Sequence, residues 1–514
     1  MRICFYWFNL AAPPGMSIGV SILARKLADA GHEVHVLHLN ERVGLPLDIE
    51  QILAHPEVVG AGLHALSFGL NHAQPALALA ALLKDRFGDS QVLCGGVHTT
   101  LNAEAVLCSP GVDFVGLGEV DDMMVPFVEA LEGAADPAGI LGFWTQHGGK
   151  IRRNFVPPLP TLDTPSPPFF DGIDYRRIIA ANRGFAETIV GRGCAMSCNY
   201  CHNAAIVETL SRHSVQPVSR GAFLRKRRVE HAIEELAEFE QRYGAVIQAY
   251  VFGDDTFAGS RDWLREFGRR YAAEIGKPFI CNAIAEQIDA EVATILADAG
   301  CNMVKFGVES GSDRVRREVL NRRLSEERLA RAVDLLHERG INSRAYVMIG
   351  APGETPAELA STYQLCARLR FDSVRPSILY PFPGTELHRC CKELGLLAAE
   401  RATTDYSSTT VLALPEPLRR AIEQTAVAYA WLLNLELGGA AAEAARPLID
   451  DLHSLDASAW TVAEGRRRIT QSGKRVHERL LTNGVDHYYA PFSDRPDVIF
   501  LYRDRVRPLI NVES

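Results

Sequence analysis

The sequence predicts an α/β protein in three parts: an open, doubly wound parallel sheet, a partial (β/α)6 barrel, and a mainly helical C-terminal region. Three observations carry this. Short apolar runs alternate with helical periodicity from Arg2 to Gly118, which is the pattern of a parallel sheet covered on both faces. A run dense in proline follows, and after it a second β/α series of six strands. After Leu397 the strand-like runs give way to long helical stretches. These features divide the chain into residues 1–150, a proline-rich linker at 151–180, a barrel at 181–397 and a C-terminal region at 398–514.

In the first part, strands are expected at Arg2–Phe8, Glu33–Leu39, Leu63–Phe68, Gln91–Cys94 and from Phe114. Helices are expected at Ser17–Ala30, stopped by Gly31, and at Gln74–Phe87. Gly95, Gly96, Gly116 and Gly118 fall at strand ends, where open α/β sheets bind their ligands. Pro157, Pro158, Pro160, Pro165, Pro167 and Pro168 then exclude any regular element.

In the second part, strands are expected at Thr188–Val190, Ala249–Phe252, Phe279–Asn282, Met303–Val308, Arg344–Ile349 and Ser373–Leu379. Helical patterns lie between them at Glu230–Tyr243, Arg261–Ile275, Ala290–Ala299, Glu326–Arg339 and Pro356–Leu369. Such barrels do their chemistry on the loops that follow the strands. In the third part, a helix is expected at Pro417–Leu437, stopped by Gly438-Gly439, and a second at Ala440–Leu452, with Pro447 a point of interruption. The aromatic-rich tail from His487 is read as part of a cap over the barrel.

The 514 residues carry a net charge of −9, which argues against a nucleic-acid scaffold. No apolar run is long enough for a membrane span, and the N-terminus has no secretory pattern. Eleven cysteines without disulfide-like spacing point to a reducing compartment, hence a cytoplasmic and anaerobic or oxygen-protected setting.

The most informative run is Gly191-Arg192-Gly193-Cys194-Ala195-Met196-Ser197-Cys198-Asn199-Tyr200-Cys201-His202. Three thiols spaced Cys-x3-Cys-x2-Cys on one glycine-flanked loop can hold three irons of a 4Fe-4S cluster and leave the fourth open. Zinc would want a second ligand pair, which the run lacks. The loop resembles that of the radical S-adenosylmethionine (SAM) superfamily, whose open iron chelates the methionine end of SAM. Electron transfer there gives a 5′-deoxyadenosyl radical. Tyr200 stands where that family has an aromatic.

The resemblance extends to later strand ends. It assigns Gly253, Asp254 and Asp255 to the SAM amino group, Glu309 and Ser310 to its ribose or methionyl part, and Ile349 and Gly350 to adenine. A helix N-cap at Ser310 or Ser312 is the plain alternative, and both roles can hold together. The basic run Arg225-Lys226-Arg227-Arg228 is expected to be a solvated face or a loop anchor. Cys281 and Cys301 are expected in the core, and Cys390-Cys391 is expected to be a partly buried pair.

The first part resembles Rossmann-like cobalamin-binding domains. The resemblance places Ser67, Gly95, Gly96, Gly116, Gly118 and Glu119 along the slot for the nucleotide tail, and Pro14–Gly19 beneath the corrin. The Asp-x-His-x-x-Gly motif that supplies cobalt with a histidine is missing, and His98 is not assigned that role.

The implied cofactors are therefore a 4Fe-4S cluster, SAM and cobalamin, with a flavodoxin or ferredoxin as reductant. The implied activity is methyl transfer to an unactivated carbon or phosphorus centre of a small molecule. A cobalamin-dependent cyclase or rearrangement enzyme would need the same residues. A methylthiotransferase would need a further cysteine trio, for which Cys4, Cys94 and Cys108 are too scattered. A non-catalytic cobalamin sensor would have no use for the cysteine loop.

Overall fold

The computed structural model describes residues 1–163, 170–397, 409–492, 495 and 497–503. Pro165, Pro167 and Pro168 of the expected linker lie outside them, as do both ends of the expected C-terminal region.

The N-terminal sheet contains β1 (Arg2–Phe8), β2 (Glu33–Leu39), β3 (Leu63–Ser67), β4 (Gln91–Gly95), β5 (Phe114–Gly116), β6 (Phe143–His147) and β7 (Lys150–Arg152). Its order is β2-β1-β3-β4-β5-β6-β7, the first five parallel and the last two antiparallel. The strand order reverses at β1/β3, the point where doubly wound sheets bind ligands beyond their carboxyl ends. Period-2 alternation on β1 divides the core: Ile3 and Phe5 face one side, Cys4, Tyr6 and Phe8 the other. The Ile3/Phe5 side is continuous with the core of the barrel, so the two sheets share one apolar interior.

The second sheet has the six expected parallel strands: β8 (Phe185–Thr188), β9 (Ala249–Phe252), β10 (Phe279–Ala283), β11 (Cys301–Glu309), β12 (Asn342–Ile349) and β13 (Ser373–Ile378). β8 begins three residues before the expected Thr188–Val190. The Val190 N–H leaves the ladder and donates to Asp254 at 3.0 Å, and Gly191–Arg192 turns to pair antiparallel with Arg225–Lys226.

The C-terminal region contributes helices Glu416–Leu437, Gly439–His453 and Val462–Thr482. Pro447 sits inside the second helix without dividing it. The tail forms β14 (His487–Tyr489) and β15 (Ile499–Tyr502), and β15 pairs antiparallel with β13 through Ser373 and Val374. The tail thus extends the barrel sheet at its edge, whereas the sequence suggested a cap. No helix among the described residues is long and apolar enough to cross a membrane.

Candidate functional site

The cysteine loop follows β8 at the carboxyl end of the barrel. Gly193 adopts φ +86°, and a Cβ there would lie 2.3 Å from the Phe223 carbonyl oxygen, so the turn into Cys194 requires glycine. The loop is tied down from outside. Asn199 donates its N–H to Leu320 O (2.9 Å) and its amide to Val319 O (3.1 Å). Asn321 donates to Ser197 O (2.8 Å), and Arg220 to Met196 O (2.8 Å).

Cys198 is buried, while Cys194 and Cys201 are half-buried. Burial pushes the Cys194 thiol up and the Cys201 thiol to about 12, with the carboxylate of Asp255 adding to both. All three thiols are free of disulfides. The donor set is three free, buried or half-buried cysteines on one hydrogen-bonded loop, which fits three thiolate ligands of an iron–sulfur cluster.

The strand ends divide the expected SAM contacts. Gly253 and Asp255 are exposed after β9, beside the cysteines. Asp254 is 2% exposed, and its carboxylate accepts from Lys226 Nζ at 2.6 Å and from Val190 N–H. It is a strut between two loops, so of the acidic pair only Asp255 presents its carboxylate to the mouth. Glu309 ends β11 in the left-handed region at φ +68°, where the register shifts, and is 9% exposed. Burial holds its carboxyl above the usual carboxylate range, against the opposing pull of Arg322 and of the Tyr200 hydroxyl, which donates to it at 2.9 Å.

Three expected contacts have their polar groups used inside the protein. The Ser310 hydroxyl accepts from Ser312 N–H (3.1 Å) and meets Thr362, while the capping contact to the next helical turn is made by Ser312, which accepts from Val315 N–H at 3.2 Å. Ile349 O accepts from Leu379 N–H, and Gly350 N–H donates to Glu354 at 2.6 Å. Gly350 also lies against Ile422 of the C-terminal helix.

The basic run is not a solvated face. Arg225 binds Glu119, Lys226 binds Asp254, and Arg227 meets Glu235. It anchors loops, the other expectation. Cys281 and Cys301 are buried with Sγ atoms 4.0 Å apart, and Cys391 is buried beside half-buried Cys390. Cys4 and Cys94 are buried in the N-terminal core and Cys108 is exposed.

Ser67, Gly95, Gly96, Gly116, Gly118 and Glu119 come together around one cavity of about 180 Å³ at the ends of β3, β4 and β5. A Cβ on Gly95 would meet nothing within 4 Å and would project into open space. Gly96 has φ +96° and would put a Cβ 2.6 Å from Phe68 O. Small residues here keep open a slot for a flat group, which fits a cobalamin tail. No histidine lines the cavity.

Arg192, which the sequence did not single out, also lines this cavity. It donates to Asp121 (2.8 and 3.2 Å) and to Glu119 (2.5 Å). Its nearness to Cys194 in the sequence and the acidic pair after β5 were the available signals. It joins the glycine-lined cavity of one sheet to the cysteine loop of the other.

Two families match the chain: the radical SAM superfamily over residues 188–366 and the B12 binding domain over residues 11–128. An uncharacterized methyltransferase of Pyrococcus horikoshii is 26% identical over 381 residues, covering 73% of this chain and 78% of the relative. The cytidylyl-2-hydroxyethylphosphonate methyltransferase of Streptomyces wedmorensis is 24% identical over 388 residues, 68% of each chain. The fold is shared with TsrM of Kitasatospora setae, a radical S-adenosylmethionine methyltransferase solved with cobalamin and a [4Fe-4S] cluster: TM-score 0.63, 18% identity, 93% of this chain and 99% of the other. With both domains matched in one chain, in the order and fold of these relatives, the protein belongs to the cobalamin-dependent radical SAM enzymes.

Proposed function

We propose that this enzyme transfers a methyl group from SAM, by way of cobalamin, to an unactivated carbon or phosphorus centre of a small molecule. The observation that carries the reading is the likeness, over about three quarters of the chain, to a methyltransferase that spans both domains. The second relative, by its name, methylates a phosphonate conjugate.

In this reading residues 1–150 hold cobalamin, 151–180 connect, 181–397 hold the cluster and SAM, and 398–514 complete the substrate side. Cys194, Cys198 and Cys201 ligate the cluster. Gly253 and Asp255 receive the SAM ammonium, a carboxylate being its natural partner. Glu309, oriented by Tyr200, takes the ribose or methionyl part. Ser67, Gly95, Gly96, Gly116 and Gly118 admit the cobalamin tail. Bound together, the cluster, SAM and cobalamin supply the radical and methyl chemistry, while the protein positions them and excludes water. The electron comes from a flavodoxin or ferredoxin, and the setting is cytoplasmic.

The test is anaerobic turnover with methyl-labelled SAM, reconstituted cluster, methylcobalamin, a reductant and a deproteinised cell extract, read by mass spectrometry. The expected result is a new labelled product together with 5′-deoxyadenosine and S-adenosylhomocysteine. 5′-Deoxyadenosine without labelled product or S-adenosylhomocysteine would overturn methyl transfer in favour of cyclisation or rearrangement.

A further inference from the structure

Lys305, Arg344 and Arg375 stand at mid-height on three adjacent barrel strands. Lys305 and Gly307 lie on one face of β11, and a Cβ on Gly307 would lie 2.4 Å from Glu309 Oε1, so the Glu309 carboxylate turns to that face past the register shift. Lys305 is in register with Arg344 of β12, and Tyr346 of β12 is in register with Arg375 of β13. On β12 the alternate residues Ala345, Val347 and Ile349 are buried in the core, while Arg344 and Tyr346 keep partial access on the opposite face. The cations therefore sit inside the barrel, below Glu309.

Two of the three, Lys305 and Arg344, have no carboxylate in ion-pair reach among the described residues, while the third is paired. Lys305 is 8% exposed, and among the described residues it has no hydrogen-bond or ion-pair partner. Arg344 donates Nε to the Ser373 hydroxyl at 2.9 Å and stacks on Phe500, with no carboxylate in ion-pair reach among the described residues. Arg375 is paired with Asp497 at 2.5 Å. Glu187 of β8 feels the charge of Lys305. Burial holds it above the usual carboxylate range, against a backbone hydrogen bond from Met16 and the charges of Lys305 and Arg495. The surplus is felt by Tyr346: burial pushes its phenol up, but Lys305, Arg344 and Arg375 outweigh that and bring it down to about 8. Cations taken out of water without partners cost several kcal/mol each, so such a cluster persists where an anion completes it.

We propose that Lys305 and Arg344 form the anchoring site for an acidic group, carboxylate or phosphoryl, of the substrate. The proposal rests on the reading of the barrel as the radical SAM chamber and gives the substrate its class: a small acid held by its anionic end within the barrel. Arg344 presents a planar fork suited to two oxygens, and Lys305 a point charge beside it. Met16, which donates to Glu187 at 3.4 Å, brings the loop expected beneath the corrin to the same chamber.

The test uses the holoenzyme with cluster, cobalamin and SAM, and follows Tm in sodium acetate or inorganic phosphate against sodium chloride at equal ionic strength. Acetate or phosphate is expected to raise the wild-type Tm by several degrees, and Lys305→Met and Arg344→Met to abolish that shift. The anion with the larger effect distinguishes a carboxylic from a phosphoryl substrate. In chloride, Lys305→Met is expected to melt higher than wild type, because it removes a buried unpaired charge; this separates a site from a structural lysine. SAM affinity is expected to stay within about twofold, a margin of under 0.5 kcal/mol. An anion shift absent from the wild type, or equal in all three proteins, would overturn the proposal. So would a tenfold loss of SAM affinity in Lys305→Met, which would give the cation to SAM. Methyl transfer is not among these readouts, so the two readings fail separately.

Discussion

Arg192 Nη2 donates to Asp121 Oδ1 at 2.8 Å, and through this contact the loop that carries Cys194 is fastened to a loop that lines the glycine-rich cavity of the other sheet. Burial disfavours the charge on both partners, but their mutual attraction outweighs it: the Asp121 carboxyl lies below its usual range and the Arg192 guanidinium above its own. Asp121→Leu leaves the buried Arg192 with Glu119 as its remaining acid. The substitution is expected to cost about 1–2 kcal/mol by denaturant unfolding, less than a broken buried pair because one counter-charge stays and both side chains keep some solvent contact. Cobalamin should also be retained less tightly on gel filtration. Unchanged stability together with unchanged retention would show that the contact is incidental.

Glu354 offers a pH test. Burial raises its carboxyl to about 7, against hydrogen bonds from the Ala351 and Gly350 N–H groups. A folded-state value above the unfolded one means the native state binds the extra proton, so stability falls as pH rises from about 4.5 to about 7. The window corresponds to about 3 kcal/mol at one pKa unit per 1.36 kcal/mol. Glu354→Gln keeps an acceptor for the two N–H groups and is expected to flatten this slope. A wild-type protein whose stability rises across the same window relative to the variant would contradict the assignment.

Gly95 faces open space in the cavity, and its φ is ordinary, so a larger side chain enters without backbone strain. Gly95→Leu is expected to fill the slot and lower cobalamin content after reconstitution at least tenfold, while iron content stays at the wild-type level. Full cobalamin content in this variant would remove the cavity from the binding site.

Tyr200→Phe deletes the donor that meets buried Glu309 at 2.9 Å. An acceptor left unsatisfied in the interior costs about 1–3 kcal/mol. The expected outcome is a matching loss of stability and weaker SAM binding by equilibrium dialysis, with the cluster absorbance intact. Wild-type SAM affinity would limit Tyr200 to a packing role.

Cys198→Ala is expected to lose the iron–sulfur absorbance and all reductive formation of 5′-deoxyadenosine, since two thiolates remain where three are needed. Retained 5′-deoxyadenosine formation would exclude the loop as the cluster site.

Much of the fold was legible because its signals are local. β1 and β2 coincide with the expected runs, and the helix at Ile18–Asp29 is capped by Ser17 as its pattern implies. The β6–β7 hairpin was overlooked although Gly148-Gly149 is a hairpin turn signal; its strands are short and half polar. The helix Val462–Thr482 was overlooked for another reason. Its Gly465 and Gly473 read as breakers, but in the fold they make room for Trp460 and Trp431, where a Cβ would come within 2.8 Å of each indole.

By itself the sequence determined the cysteine loop, the six-strand barrel and the strand-end glycines that line one cavity, because spacing, period and glycine placement act over a few residues. Only the tertiary structure decided which carboxylate of Asp254 and Asp255 faces the mouth, where the basic run Arg225–Arg228 finds its acids, that β15 joins β13, and that Lys305 and Arg344 stand side by side with no ion-pair partner among the described residues. Each of these depends on charges or strands far apart in the chain meeting in a low-dielectric interior, where a partner, or the lack of one, is worth several kcal/mol.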